Sequence, residues 1–238
     1  MLNKYNKLAK YYYEYTSIFN NNKLMYKIIN KTLQQINNKK LKILDVGCGT
    51  GEVTQKIFKR GFHKITGIDK SFSMIEIARK RNRKIKFIRI DFFKFSTRKK
   101  FDVIIVTTDV INHINKQKIN DFFKKCYRLL KYNGIIIFDI NLYQYLKNIS
   151  NKRFIKKINN STIVWDTKRF GNILYIYLLF KTNKNSFLEK YKQYMYSEAY
   201  IEKILKYNKF YILSKKYDYK YIINKRSKAF YILAKNNI

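Results

Sequence analysis

The stretch Leu44-Asp45-Val46-Gly47-Cys48-Gly49-Thr50-Gly51 decides how this chain folds. Three of the chain's seven glycines fall within its last five residues. The apolar pair Ile43-Leu44 reads as the end of a strand, and Val53 to Phe58 reads as a helix. In such a junction glycine permits a tight turn and lets a ligand approach the backbone at the helix N-terminus. Two ligand classes are excluded by spacing. A dinucleotide loop, G-x-G-x-x-G, needs glycine where Glu52 stands, and a Walker-type loop needs a Gly-Lys-Ser/Thr that is absent. Glu52 also sets negative charge where a pyrophosphate would lie. G-x-G-x-G after an acidic residue suits a cationic, phosphate-free nucleoside.

Outward from this loop, residues 41–142 alternate β-rich runs with helical segments. The pattern predicts strands at 41–46, 64–69, 85–90, 101–107 and 134–140, and helices near 51–61, 71–82 and 117–131. Alternation of this kind implies an α/β fold with a parallel sheet covered on both faces. Ser71, with Met74 and Glu76 behind it, suits a helix start, and Gly61 and Gly134 fall where helices should stop. Upstream, Leu24, Ile28, Ile29, Leu33 and Ile36 share one face of a helix from about Asn22 to Asn37, within an N-terminal helical cap, 1–40. Downstream the character changes. Segments 153–158, 162–169, 173–182 and 187–196 read as antiparallel strands of an insertion, 143–196, placed as a lid over a site. A helix at 197–208 and strands near 210–218 and 228–235 complete a single domain.

Charge is less informative than it looks. Lys+Arg 52 against Asp+Glu 15 leaves a net charge of +37, which ordinarily suggests a polyanion partner. Yet Lys (42), Asn (25), Ile (35), Tyr (22) and Phe (18) make up most of the 238 residues, with Ala 5, Gly 7 and Pro 0. The abundant types have AT-rich codons and the scarce ones GC-rich codons, so nucleotide bias accounts for the basic balance. A hydrophobic fraction of 46% argues against disorder. The apolar run from Ile173 to Phe180 falls far short of the ~20 residues of a spanning helix. Met1-Leu2-Asn3-Lys4-Tyr5 lacks an apolar signal core, and Cys48 and Cys126 make neither a disulfide framework nor a metal cluster. The expectation is a cytoplasmic globular protein without metal or membrane attachment, its oligomeric state unreadable.

Leu44 to Gly51 resembles the first motif of the class I S-adenosylmethionine-dependent methyltransferases. Two further acids follow in the matching order: Asp69 in Ile65-Thr66-Gly67-Ile68-Asp69-Lys70-Ser71, and Asp91 in Ile88-Arg89-Ile90-Asp91-Phe92-Phe93. Each aspartate alone also fits a strand end or a helix cap; together with the glycine loop they form a composite signal. The resemblance implies a Rossmann-like, seven-stranded, mostly parallel sheet with helices on both faces. It implies that Asp69 accepts the ribose hydroxyls, that Asp91 accepts from the adenine amino group and that Phe92 flanks the ring. It carries cofactor contacts onto Asp45, Gly47, Cys48, Gly49, Gly51, Lys70, Met74 and Thr107. Tyr5-Asn6-Lys7-Leu8-Ala9-Lys10-Tyr11-Tyr12 resembles the tyrosine-rich leader of a small-molecule branch, which adds Tyr5 and Tyr12. Asp109-Val110-Ile111-Asn112-His113, Phe138-Asp139-Ile140-Asn141 and the tail around Tyr196-Ser197-Glu198, Phe210 and Ser227-Lys228-Ala229-Phe230-Tyr231 resemble the same branch. The chain departs from it at Lys209, where glycine is usual, and at Asn133-Gly134, where Pro-Gly is usual.

The implied cofactor is S-adenosyl-L-methionine, with S-adenosyl-L-homocysteine as product. The implied reaction is in-line methyl transfer to an O or N nucleophile of a small molecule. Orientation and a dry site do much in such a displacement; intramolecular models gain roughly 7–11 kcal/mol this way. His113, one of two histidines, is the candidate base for a hydroxyl acceptor, and it equally fits a helix-face role. Asp109, Asn112, Asn141, Trp165 and Tyr175 are candidate acceptor contacts, though aromatic stripes in strands are often core. The rival with the same cofactor is an RNA methyltransferase. Against it, Thr107-Thr108-Asp109 stands where base-amine methylases carry Pro-Pro-Tyr/Phe, and neither cysteine follows a proline. A non-catalytic, basic RNA-binding protein on the same fold is the rival from another class; cofactor binding discriminates it.

Overall fold

The computed structural model describes Ala9 and residues 23–158, 160–183, 185–220 and 225–235. In chain order the elements are α1 (Lys23–Ile36), β1 (Ile43–Val46), α2 (Glu52–Lys59), β2 (Ile65–Asp69), α3 (Phe72–Arg81), β3 (Lys86–Arg89) and β4 (Phe101–Val106). A 3-10 turn (Val110–His113) leads to α4 (Lys116–Leu129), β5 (Leu130–Asn141) and α5 (Tyr143–Asn148). Then come β6 (Arg153–Ile158), β7 (Ser161–Phe170), β8 (Ile173–Thr182), β9 (Ser186–Tyr194), α6 (Glu198–Tyr207), β10 (Phe210–Lys220) and β11 (Lys225–Lys235).

The main sheet runs β10-β11-β5-β4-β1-β2-β3. All pairs from β5 to β3 are parallel, and β11 pairs antiparallel to both β5 and β10. This is the expected seven-stranded α/β fold. β1 is buried at every position, as a central parallel strand covered on both faces must be. From β1 the chain builds outward to β3, then returns through β4 to the other side. The order therefore reverses between β1 and β4, where an open α/β sheet leaves a crevice beyond the strand ends.

Local chemistry sets the boundaries. Ser71 caps α3, its Oγ accepting from Met74 N at 3.4 Å. Gly61 ends α2 with φ +92°, its N–H donating to Phe58 O at 2.9 Å. Gly134 does not stop a helix as expected. α4 ends at Leu129, Leu130 is already extended, and the positive φ falls on Asn133 at 54°. Gly134 lies inside β5, where a Cβ would stand 3.0 Å from Lys131 O. The helix α5 was not anticipated; its six residues are too short to show a period. Among the described residues no helix is long and apolar enough to cross a membrane.

The segment after α5 forms a four-stranded antiparallel sheet, β6-β7-β8-β9. Its strands alternate strictly. Ile163, Trp165 and Thr167 of β7 and Leu174, Ile176, Leu178 and Phe180 of β8 are buried on one face. Tyr175 and Tyr177 occupy the other.

Candidate active site

A cavity of about 360 Å³ opens at the carboxyl ends of β1 to β4, in the crevice at the reversal point. The glycine loop is its floor. Gly47, Gly49 and Gly51 all have positive φ, at 71°, 54° and 74°. An added Cβ at Gly47 would stand 2.5 Å from Val110, and at Gly51 2.7 Å from Phe87, so these two are set by the fold. Gly49 differs: a Cβ there meets nothing within 4 Å, so that stretch of backbone is open to a ligand.

Asp69, the last residue of β2, fixes the loop. One carboxylate oxygen accepts from Gly49 N at 3.0 Å and the other from Ser71 N at 2.8 Å. A carboxylate offers about four acceptor positions, so roughly two remain for a ligand's hydroxyls. Burial raises its pKa, and the Ser71 and Gly49 N–H groups oppose that rise. Asp45 is 2% exposed and accepts from Thr54 Oγ1 at 2.5 Å. Burial pushes its pKa up to about 7, with the charge of Asp69 adding and the Thr54 bond opposing. Beyond β3, Asp91 accepts from Phe93 N at 2.8 Å. Beside it Phe92 packs on Phe122, ring centres 4.7 Å apart, giving an apolar slot with an acceptor at its edge. Cys48, Lys70, Met74 and Thr107 line the same cavity, and Gly51 does not. Tyr5 and Tyr12 lie outside the described residues.

The loop after β4 forms the opposite wall. Thr108 and Asp109 both have φ of 65°, a conformation that costs a β-branched residue about 1–3 kcal/mol. Buried charge holds it. Lys228 of β11 bonds the Asp109 carboxylate and lies 3.4 Å from Asp139 Oδ2, while Asp109 N donates to Asp139 Oδ1 at 3.0 Å. His113 lines the cavity, its Nδ1 3.0 Å from Lys192 O of β9. A carbonyl only accepts, so Nδ1 carries the proton and, in the neutral ring, Nε2 is the basic nitrogen.

Not every expected contact reaches the cavity. Asn112 is fully buried and donates to Asn141 O and Tyr194 O, while Asn141 N donates back to Asn112 Oδ1 at 2.8 Å. With Asn141 Nδ2 donating to Gln193 Oε1 at 3.1 Å, these asparagines lock β9 onto the sheet, and neither lines the cavity. Asp109 is occupied by Lys228 and by Gln193. Trp165 and Tyr175 do not line the cavity, and strand alternation sets them on opposite faces of the inserted sheet. Trp165 packs on Phe154 on the core face, and Tyr175 meets Phe170 on the opposite face. The cavity is lined instead by Val110 of the Asp109–His113 segment and by Tyr26, Lys118, Lys192 and Tyr194, which carry no local sequence signal.

These residues fit S-adenosylmethionine. Four of the chain's fifteen carboxylates, Asp45, Glu52, Asp69 and Asp91, line one cavity of a strongly basic protein. That placement suits a cationic ligand, and the open backbone at Gly49 leaves room for it.

Comparison with known proteins agrees. A family model described as a methyltransferase domain matches residues 43–134. The ubiquinone biosynthesis O-methyltransferase of Pelagibacter ubique is 37% identical over 103 residues, 41% of each chain. The chain spans about half the length of the curated relatives it matches. Among solved structures, an S-adenosylmethionine-dependent methyltransferase from Clostridium acetobutylicum superposes with a TM-score of 0.86 at 24% identity, covering 98% of this chain and 99% of its own. An S-adenosylmethionine-bound amino pentose methyltransferase from Micromonospora echinaspora shares the fold at a TM-score of 0.73 and 14% identity, covering 95% and 96%. With the glycine loop, the three strand-end aspartates and the sheet order all in place, residues 43–134 match a methyltransferase domain, and the chain shares its fold with S-adenosylmethionine-dependent methyltransferases.

Proposed function

We propose that the protein methylates an oxygen or nitrogen of a small-molecule acceptor by in-line displacement. The observation that carries this reading is one cavity combining the Gly49–Asp69 cradle, the Asp91–Phe92 slot and His113. S-Adenosylmethionine supplies an activated methyl group on a sulfonium. The chain's own residues do the rest. Asp69 holds the ribose hydroxyls with the acceptor positions its two N–H bonds leave over. Asp91 and Phe92 take the adenine edge and face. His113 Nε2 removes the proton of a hydroxyl acceptor, while Nδ1–H stays tied to Lys192 O. An amine acceptor that binds neutral needs less of this help. Residues 143–196 act as the lid: Lys192 and Tyr194 reach the cavity, and the Asn112–Tyr194 and His113–Lys192 bonds hold β9 against its rim. A closed rim keeps competing water from the methyl group.

The test is calorimetric titration with S-adenosylmethionine beside an Asp69→Ala variant. Two charge-assisted hydrogen bonds at about 1.5–3 kcal/mol each predict a loss of roughly a hundredfold or more in affinity. Absence of saturable binding at millimolar cofactor would overturn the enzyme reading.

A further inference from the structure

Charge within the cavity is sorted by side except at Lys70, which follows Asp69 at the end of β2. The carboxylates of Asp45, Glu52, Asp69 and Asp91 come from the β1, β2 and β3 ends and the start of α2. On the side of His113 the lining ammonium groups are Lys118 of α4 and Lys192 of β9. A lysine-rich chain places lysines everywhere, so their presence alone decides nothing. Their setting does. Among the described residues neither has a carboxylate within ion-pair distance. Lys118 stands in the first turn of α4, which has no acid, where the helix dipole disfavours a cation. Helix stability therefore does not explain it. Lys192 points the same way from β9 as Tyr194, two residues on, and both reach the cavity. Each ammonium has an aromatic ring nearby, Phe93 at 5.4 Å from Lys118 and Tyr194 at 5.3 Å from Lys192. Such distant cation–π contacts are weak, and although Lys192 also hydrogen-bonds the Tyr194 side chain, N–H donors remain on both ammonium groups for a ligand.

We propose that the methyl acceptor is a small molecule carrying an oxyanion, a carboxylate or a phosphate ester, held by Lys118 and Lys192 with its nucleophile towards His113. This rests on the methyltransferase reading and names the substrate class for the same site. The arrangement puts an anionic acceptor and a cationic donor in the halves of the cavity that each prefers, and their mutual attraction favours approach along the transfer direction. Two ammonium groups on one oxyanion also restrict its rotation, which orients the nucleophile.

The experiment uses the full chain saturated with S-adenosylhomocysteine and three probes of similar shape: benzoate, phenyl phosphate and neutral benzamide. Calorimetry should show an anion binding at least about tenfold more tightly than benzamide, in line with one charge-assisted contact. Tighter benzoate assigns a carboxylate acceptor, and tighter phenyl phosphate a phosphate ester. Lys118→Met and Lys192→Met keep the aliphatic stems, and the double variant should erase the preference while S-adenosylhomocysteine still binds. Benzamide binding as well as the anions, no anion binding to the saturated protein, or a preference that survives both substitutions overturns the proposal. If S-adenosylhomocysteine itself fails to bind, the methyltransferase reading falls instead.

Discussion

Replacing Lys228 by methionine tests the buried ions behind the loop that carries His113. Lys228 is 6% exposed and bonds Asp109, and Asp139, 1% exposed, lies 3.4 Å away. Burial works against this ammonium, yet Asp109 and Asp139 outweigh it and hold its pKa above the ordinary lysine range. Methionine keeps the stem and removes the charge, so two carboxylates face each other without a cation. Breaking a buried pair from one side costs about 3–5 kcal/mol. Asp139 keeps the Asp109 N–H, so the lower end, about 3 kcal/mol, is expected. In a domain of this size that lowers Tm by about 6–12 °C. The pH dependence is the sharper check. Burial already raises the Asp139 pKa, Lys228 lowers it and Asp109 raises it. Without Lys228 the folded-state value rises further above the unfolded one. A raised carboxyl pKa gives stability that is present at low pH and lost as pH rises through the folded value. The deficit of the variant must therefore be largest near pH 8 and shrink towards about pH 5. Urea unfolding followed by circular dichroism at both pH values measures it. A deficit below about 1 kcal/mol near pH 8, or one equal at both, refutes the ion-cluster argument.

The glycines separate fold from site. Gly67→Ala sets a Cβ 2.7 Å from Phe87 and should lower Tm, whereas Gly49→Ala meets only open space and should cost about 1 kcal/mol while cofactor affinity collapses. If Gly49→Ala binds cofactor normally by calorimetry, the cradle is misassigned. Since Asp45 titrates at about 7 and a cation beside it favours its ionised form, S-adenosylmethionine affinity should rise with pH through neutrality and then level off. Asp45→Asn should flatten that profile; an unchanged slope excludes Asp45 as its source. His113→Gln should leave cofactor affinity intact and slow methylation of a hydroxyl acceptor by about 10²–10⁴, with a smaller effect on an amine. An equal loss for both acceptors would point to positioning instead of proton removal.

The parallel half of the fold was legible because its signals are local. Buried central strands such as Ile43–Val46 read as apolar runs, and Gly47, Gly49 and Gly51 punctuate the chain where the ligand floor must lie. The strands of the inserted sheet were legible by composition, but the meaning of their alternation was not. Trp165 pairs across β7 and β8 with Leu178, and the aliphatic set Leu174, Ile176 and Leu178 takes the core face, leaving Tyr175 and Tyr177 on the other. Period two shows that two faces exist; only the packed sheet shows which one meets the core. Contacts between distant parts of the chain stayed hidden for the same reason. Asp109 and Lys228 are 119 positions apart, and His113 and Lys192 are 79 apart.

The same structure explains how a protein of net charge +37 can bind a cation. Most of its lysines are solvated, and at physiological salt their fields decay within roughly 8 Å. A carboxylate about 5 Å from a cation at an effective dielectric of 20 contributes about 3 kcal/mol by Coulomb's law. Asp69 and Asp91 at the floor and edge of a partly closed cavity therefore outweigh a diffuse basic surface, and Asp45 joins them once it ionises. In a chain with this composition the scarce residue types carry the site. Two of seven glycines, Gly47 and Gly49, four of fifteen acids and one of two histidines line it. Abundant lysine becomes informative only where, as at Lys118 and Lys192, it faces the cavity away from any acid of its own.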